Sequence, residues 1–277
     1  MSLTVKAYAK INLWLDITGR REDGYHTLNT VMRRIDLYDG ITVTPAASDT
    51  AVIRCDDPAV PCDGRNIAYK AWELFRKMYG RPFGADIDIT KHIPLEAGLG
   101  GSSTDGAAVL AALNELAGRP FTNERLTAAG AELGADVPFC MTGGTAVCKG
   151  IGEEIHPIYC ADFAAVIVKP DFSCLTAKAY LAYDNAPLPV KAGFGDYIRT
   201  VGKNAEAAAQ GLYNVFEKLY NDPRIEEIKQ ELVSAGALNS CMTGSGSAVF
   251  GIFPALSDAK SALGKIACKT KFAVNAL

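Results

Sequence analysis

Pro94-Leu95-Glu96-Ala97-Gly98-Leu99-Gly100-Gly101-Ser102-Ser103-Thr104 closes a short alternating run, residues 85–90, and opens a long apolar-periodic segment, residues 105–116. A glycine-rich turn that feeds a helix N-terminus suits phosphate. Without Cβ atoms the backbone comes close, successive N–H groups point inward, and the helix dipole favours negative charge. Val109, Leu110, Leu113 and Leu116 fall on one helical face, and Gly118 and Pro120 end the helix. The stretch predicts a phosphate-binding loop and helix, against the plainer alternative of a small-residue turn feeding a buried helix.

Neither common phosphate loop fits. A Walker A loop needs G-x-x-x-x-G-K-[ST], and no Gly-Lys pair here is followed by Ser or Thr. The dinucleotide fingerprint G-x-G-x-x-G would need glycine where Ser103 stands. The H-R-D and D-F-G signatures of protein kinases are absent.

The 277 residues are enough for one or two domains, and 49% hydrophobic with 21% charged residues is ordinary for a globular enzyme. A net charge of -3 argues against general nucleic-acid affinity. No signal-peptide pattern and no membrane-length apolar run is visible, so a cytoplasmic protein without a membrane or an obligate protein partner is expected. Eight dispersed cysteines, none in C-x-x-C and with the three histidines far from any cysteine pair, read as free thiols rather than zinc ligands.

Along the chain, residues 3–44 read as strands and turns, 51–55 as a strand and 66–78 as a helix. A strand at 85–90, the loop and its helix, a helix over 123–133 and a strand over 145–151 complete the first half. Residues 155–161 suggest a boundary, dividing the chain into 1–155 and 156–277. The second half reads as a strand at 164–168, helices at 177–183, 205–220 and 224–234, a strand at 248–253, a helix at 257–268 and a strand at 271–275. Pro187, Pro189, Gly193 and Gly195 mark 184–196 as a mobile loop. Strands and helices interleave without strict βαβ alternation, which predicts an α+β chain of two domains with the site in a cleft.

Two further segments carry a resemblance. Near the start stand Ala9-Lys10-Ile11-Asn12-Leu13 and Arg21-Glu22-Asp23-Gly24-Tyr25-His26; near the end stands Thr243-Gly244-Ser245-Gly246-Ser247. With the glycine loop and Gly134-Ala135-Asp136-Val137-Pro138-Phe139, their order resembles the GHMP kinase superfamily over residues 6–253. The resemblance implies an α+β, two-domain GHMP kinase fold: an N-terminal domain like the second domain of ribosomal protein S5 and a ferredoxin-like C-terminal domain. It also implies ATP as phosphoryl donor, Mg2+, and a small-molecule acceptor with a cytidine diphosphate head. The alternatives are another acceptor of the superfamily (mevalonate, homoserine or a sugar) or a non-catalytic nucleotide-binding relative.

Phosphoryl transfer asks mainly for positioning and charge neutralisation. Residues 94–104 would cradle the phosphates, with Ser102, Ser103 and Thr104 adding hydroxyls, one of them toward magnesium; Glu96 would sit at the mouth, where its own residue type favours a solvated surface carboxylate. The resemblance makes Asp136 the base and Lys10 its electrostatic partner; read alone, Asp136 fits a turn before proline and Lys10 a strand lysine reaching the surface. Asn12, on the same strand face as Lys10, would hydrogen-bond substrate. Tyr25 would stack on the cytosine and His26 bond its edge, with Tyr180 as the second ring and Thr176 beside it. Asn66 and Lys91 would lie near adenine and ribose, on the resemblance alone. Gly244, Ser245 and Gly246 would pack against the phosphate loop, or serve as a structural turn. The loop lacks the extra glycine common in the superfamily before its serines, and residues 172–177 lack two expected prolines.

Overall fold

The computed structural model describes residues 1–277. The chain opens with two long strands, β1 (Leu3–Arg20) and β2 (His26–Ala46), joined by a tight turn in which Arg21 N–H donates to Tyr25 O at 2.7 Å. Then follow β3 (Ala51–Cys55), α1 (Ile67–Tyr79), β4 (Gly84–Thr90), α2 (Gly101–Leu116), α3 (Asn123–Gly130), α4 (Val137–Thr142), β5 (Thr145–Lys149) and β6 (Glu154–Pro157). The rest comprises β7 (Ala164–Val168), α5 (Thr176–Asn185), α6 (Phe194–Thr200), α7 (Ala205–Gln210), β8 (Tyr213–Asn214), α8 (Val215–Tyr220), α9 (Pro223–Ser234), β9 (Asn239–Met242), β10 (Val249–Phe253), α10 (Leu256–Leu263) and β11 (Lys271–Asn275). No helix is long and apolar enough to cross a membrane.

Several boundaries differ from the sequence expectation, each for a local reason. Helix α2 starts at Gly101, so the Ser102-Ser103-Thr104 hydroxyls stand on its first turn rather than before it. Residues 155–161 are not wholly irregular: β6 pairs antiparallel with β5, Val147 facing His156. The 205–220 helix is broken in two. Tyr213 and Asn214 pair in parallel with Trp14 and Leu15 of β1, and the Asn214 side chain then caps a new helix by accepting from Phe216 N–H at 2.9 Å. Residues 184–196 are only partly loop, because α5 runs to Asn185 and α6 begins at Phe194. Between them Lys191 N–H donates to the buried Asp16 carboxylate at 2.6 Å. The last helix stops at Leu263, before Gly264. Strand β9 and the six-residue α4 lacked any clear period.

Two compact units emerge from the packing. The first comprises residues 1–9, 37–93 and 100–142; the second comprises 10–36, 94–99 and 143–277. The long strands β1 and β2 each contribute residues to both. In the first unit β4 pairs antiparallel with the second half of β2 and parallel with β3. Ile41, Val43, Ile87 and Ile89 on this sheet pack with Trp72 and Phe75 of α1 and Val109, Leu110 and Leu113 of α2. Helix α2 is buried almost all round over Thr104–Leu110, as a central helix should be.

In the second unit β7 lies between β10 and β11, and β9 pairs the outer side of β10, all antiparallel. Strand β7 (Ala-Ala-Val-Ile-Val) is buried throughout, consistent with a strand covered on both faces. Val166, Val168, Val249 and Phe253 join Phe216, Ile225 and Leu232 in its core. The first stretch of β2 pairs with β5, Val31 facing Val147. All eight cysteines are free thiols, four of them buried.

Candidate active site

In the first unit the decisive feature is the N-terminus of α2. Gly100 occupies the N-cap position at φ 74°, a left-handed conformation natural to glycine, and no side chain caps the helix. Thr104 N–H makes the first intrahelical bond, to Gly100 O at 2.9 Å. The N–H groups before it are the orphan donors of a sixteen-residue helix, and an anion is their natural partner. Of the three hydroxyls on this turn, Thr104 Oγ1 donates to Tyr8 O at 2.8 Å and is buried. Ser102 is exposed and Ser103 half-buried.

Beside this turn lies a charged cluster that the sequence did not suggest. The Lys91 ammonium sits between the Asp39 and Asp105 carboxylates, 2.9 Å from Asp105 Oδ2, with its side chain only 6% exposed. The other Asp39 oxygen accepts the backbone N–H groups of His92 and Ile93 at 2.6 and 2.8 Å, which pins the chain leading into the loop. Burial pushes the Asp105 carboxyl up to about 7, against the pull of Lys91 and with the help of Asp39. Burial also opposes the Lys91 charge, but the two carboxylates outweigh it and hold the ammonium above its ordinary range. Lys91 is thereby committed to carboxylates, and Asn66 to capping α1: its Oδ1 accepts from Ala68 N–H at 2.8 Å and its Nδ2 donates to Pro61 O at 2.6 Å.

Asp136 is half-buried at the start of α4, where its carbonyl accepts from Cys140 N–H at 3.0 Å. Pro138 suits a first helical turn, and Val137 and Cys140 pack with Ala107 of α2. The aspartate is thus carried on a turn anchored by its apolar neighbours.

In the second unit Lys10, Asn12, the first half of the glycine loop and the Thr243–Gly244 turn form one hydrogen-bonded assembly. Lys10 N–H donates to Leu99 O at 3.0 Å, and Lys10 Nζ to Asn12 Oδ1 at 2.8 Å. The same Asn12 oxygen accepts from Gly244 N–H at 3.1 Å, while Asn12 Nδ2 donates to Thr30 Oγ1 at 2.9 Å. Ala248 N–H donates to Ala97 O at 3.2 Å. The approach of the two glycine segments is very close: a Cβ on Gly98, at φ 75°, would lie 2.2 Å from Thr243 O. Asn12 is 1% exposed, and its amide is engaged throughout by protein groups.

Of the substrate candidates, His26 and Tyr180 meet. The His26 ring stacks on Tyr180 with centroids 5.0 Å apart, and Tyr180 meets Phe216 edge-on. His26 Nε2 lies 2.7 Å from Asp184 Oδ1, a pairing that fixes the ring's orientation. Tyr25 is 61% exposed, a large free ring beside this cluster in sequence. Thr176 Oγ1 is 2.9 Å from Ser245 Oγ, which ties the start of α5 to the glycine-serine turn. Thr243 stood in a quoted motif without a role; Asp39, Asp105, Asp184 and Asn214 had no local pattern to mark them.

Residues 66–144 match the GHMP kinases N terminal domain, and residues 198–271 match the GHMP kinases C terminal domain. The chain is 40% identical over 274 residues to the 4-diphosphocytidyl-2-C-methyl-D-erythritol kinase of Clostridium kluyveri, covering 98% of this chain and 97% of that one. It is likewise 40% identical over 271 residues to that of Clostridium tetani, covering 96% of each. A crystal structure of 4-(cytidine 5'-diphospho)-2C-methyl-D-erythritol kinase superposes with a TM-score of 0.83 at 31% identity, covering 99% of both chains. Homoserine kinase from Cytophaga hutchinsonii, at 18% identity and a TM-score of 0.79, covers 100% of this chain and 94% of its own and shares the fold.

Proposed function

The chain belongs to the GHMP kinase family, and we infer that it transfers the γ-phosphoryl group of ATP to the 2-hydroxyl of 4-diphosphocytidyl-2-C-methyl-D-erythritol, in the non-mevalonate route to isoprenoid precursors. The observation that carries the chemistry is the uncapped N-terminus of α2 at Gly100, a ready seat for phosphate. The family domains are proposed as residues 1–155 and 156–277, each holding one matched segment.

Residues 94–104 are proposed to cradle the nucleotide phosphates, and Asn66 and Lys91 to border the adenosine side through backbone and packing, since their side-chain polar groups are engaged within the protein. Asp136 orients the acceptor hydroxyl and accepts its proton as the new O–P bond forms; the bond from the γ-phosphorus to the ADP oxygen breaks as it does. Lys10 is proposed to offset the negative charge that develops during transfer. Tyr25 and Tyr180 hold the cytosine by stacking, and His26, oriented by Asp184, reads its edge. Asn12 acts on substrate through Lys10, to which its oxygen is bonded.

No group of three or more acidic, histidine or cysteine side chains gathers that could hold a metal. A magnesium ion carried on ATP needs few protein oxygens, and the Ser102 and Ser103 hydroxyls fit that need. Such an ion neutralises phosphate charge. The reaction draws on ATP and is proposed to be cytoplasmic.

ADP release by the purified full-length protein tests the reading, with the cytidylyl substrate set against mevalonate, homoserine and galactose. Turnover confined to the cytidylyl substrate is the expected result. Turnover only with another acceptor, or none despite ATP binding, would overturn it.

A further inference from the structure

Resting on the kinase reading above, we propose that Asn214 is a positioning residue for phosphoryl transfer, holding the Thr243–Gly244 turn so that the turn in turn holds Asn12 and Lys10. Asn214 is 1% exposed, and three of the four hydrogen bonds its amide can make go to backbone groups. Its Nδ2 donates to Met242 O at 2.7 Å and to Gly244 O at 2.8 Å, and its Oδ1 accepts from Phe216 N–H at 2.9 Å. The residue is held there by the parallel pairing of Tyr213 and Asn214 with Trp14 and Leu15, so the clamp is built on the same strand that carries Lys10 and Asn12.

Gly244 is gripped through both of its polar backbone groups. Its carbonyl accepts from Asn214, and its N–H donates to Asn12 Oδ1 at 3.1 Å. That Asn12 oxygen is the one 2.8 Å from Lys10 Nζ. A continuous path of short hydrogen bonds therefore runs from Asn214 through Gly244 and Asn12 to the ammonium assigned to charge stabilisation. Removing the Asn214 amide leaves two buried carbonyls without a donor, and the turn must move to satisfy them. Each shift is passed to Asn12, whose oxygen has no freedom to compensate because its Nδ2 is fixed on Thr30. A buried amide that only stabilised the fold would not need to sit on this path. Asn239, on strand β9 with Met242, offers the contrast: its Nδ2 donates to Ala209 O at 2.8 Å, away from the turn.

The test measures kcat and KM for the cytidylyl substrate, together with thermal unfolding, for wild type, Asn214→Ala, Asn214→Ser and Asn239→Ala. Asn214→Ala should lower kcat by at least about tenfold, the order expected when a reacting group is displaced by a fraction of an ångström. KM for the cytidylyl substrate should change by less than kcat, since the path ends at Lys10 and Asn214 reaches the Tyr180 ring only through Phe216. Asn214→Ser keeps one donor and should recover part of the loss. Asn239→Ala should lose thermal stability with its kcat intact. If Asn214→Ala does not fold, Asn214→Ser decides the matter by the same split. An Asn214 variant that unfolds earlier but keeps wild-type kcat overturns the proposal and leaves the kinase reading standing; a wild type without turnover on any acceptor overturns both.

Discussion

Asn12 and Thr243, 231 residues apart in the chain, exchange hydrogen bonds in both directions: Asn12 N–H donates to Thr243 Oγ1 at 3.0 Å, and that hydroxyl lies 3.2 Å from Asn12 Oδ1. The N-terminal Ala-Lys-Ile-Asn-Leu segment and the C-terminal glycine-serine turn are thereby one buried structure. Both residues are inaccessible to water, so neither can find a substitute partner in solvent. Thr243→Val, nearly the same size, removes the hydroxyl and leaves the Asn12 N–H unpaired. A loss of about 1–3 kcal/mol is expected, with Thr243→Ser close to wild type. Urea unfolding of the three proteins checks it.

Gly98 faces Thr243 with no room for a side chain, since a Cβ would lie 2.2 Å from that residue's carbonyl oxygen. Its φ of 75° adds a conformational cost for any other residue. Gly98→Ala must push the loop away from the turn. The expected outcome is a fold that survives and ATP binding weakened by about tenfold or more, equivalent to about 1.4 kcal/mol. Calorimetric titration with ATP measures it, and unchanged affinity would show that loop and turn need not meet.

The buried Asp39–Lys91–Asp105 cluster makes stability depend on pH in a direction that can be worked out. Burial raises the Asp105 carboxyl from the ordinary 3.8 to about 7, so the folded protein holds a proton that the unfolded chain has already released. The resulting stabilisation is complete below the ordinary carboxylate range and is lost as pH rises through about 7. One proton of difference corresponds to a slope of about 1.4 kcal/mol per pH unit. Asp105→Asn, neutral at every pH, should lack this slope. Denaturant unfolding of both proteins across the interval between about pH 4 and about pH 8 compares them; parallel profiles would contradict the account.

Tyr180 stacks on His26 with centroids 5.0 Å apart, and His26 is itself held by Asp184 at 2.7 Å. On the proposed role, the face of the ring stacks on the base. Tyr180→Phe should therefore leave the cytidylyl KM nearly unchanged. Tyr180→Ala should raise it by about tenfold to a hundredfold, the range of one base–aromatic stack. The ATP KM, measured in the same assays, should not follow.

How far the sequence could be read depended on how local each signal was. The loop and helix at 94–116 were legible because glycine spacing and helical period lie in one stretch, and β7, α1, α9 and β11 were legible for the same reason. The break in the 205–220 helix was not, because it comes from Asn214 pairing with Leu15, a partner 199 positions away by their numbers. Lys91 could be named as a candidate, but its burial between Asp39 and Asp105 joins residues from β2, the end of β4 and α2, which no periodicity unites. Asn12 was read as a substrate ligand from its place beside Lys10. Its engagement by Thr30, Thr243 and Gly244 involves partners 18, 231 and 232 positions away, which strand alternation does not reveal.

The central claim is that Asp136 takes the proton of the acceptor hydroxyl, and one pair of measurements addresses it directly. Asp136→Asn keeps shape and the backbone role at the start of α4 while removing the basic oxygen. Single-turnover phosphoryl transfer to the cytidylyl substrate, run beside ATP binding by titration, should show transfer slowed by about 10²–10⁴-fold with ATP affinity unchanged. Transfer at the wild-type rate, with ATP bound as before, would contradict the account and remove Asp136 from the chemistry.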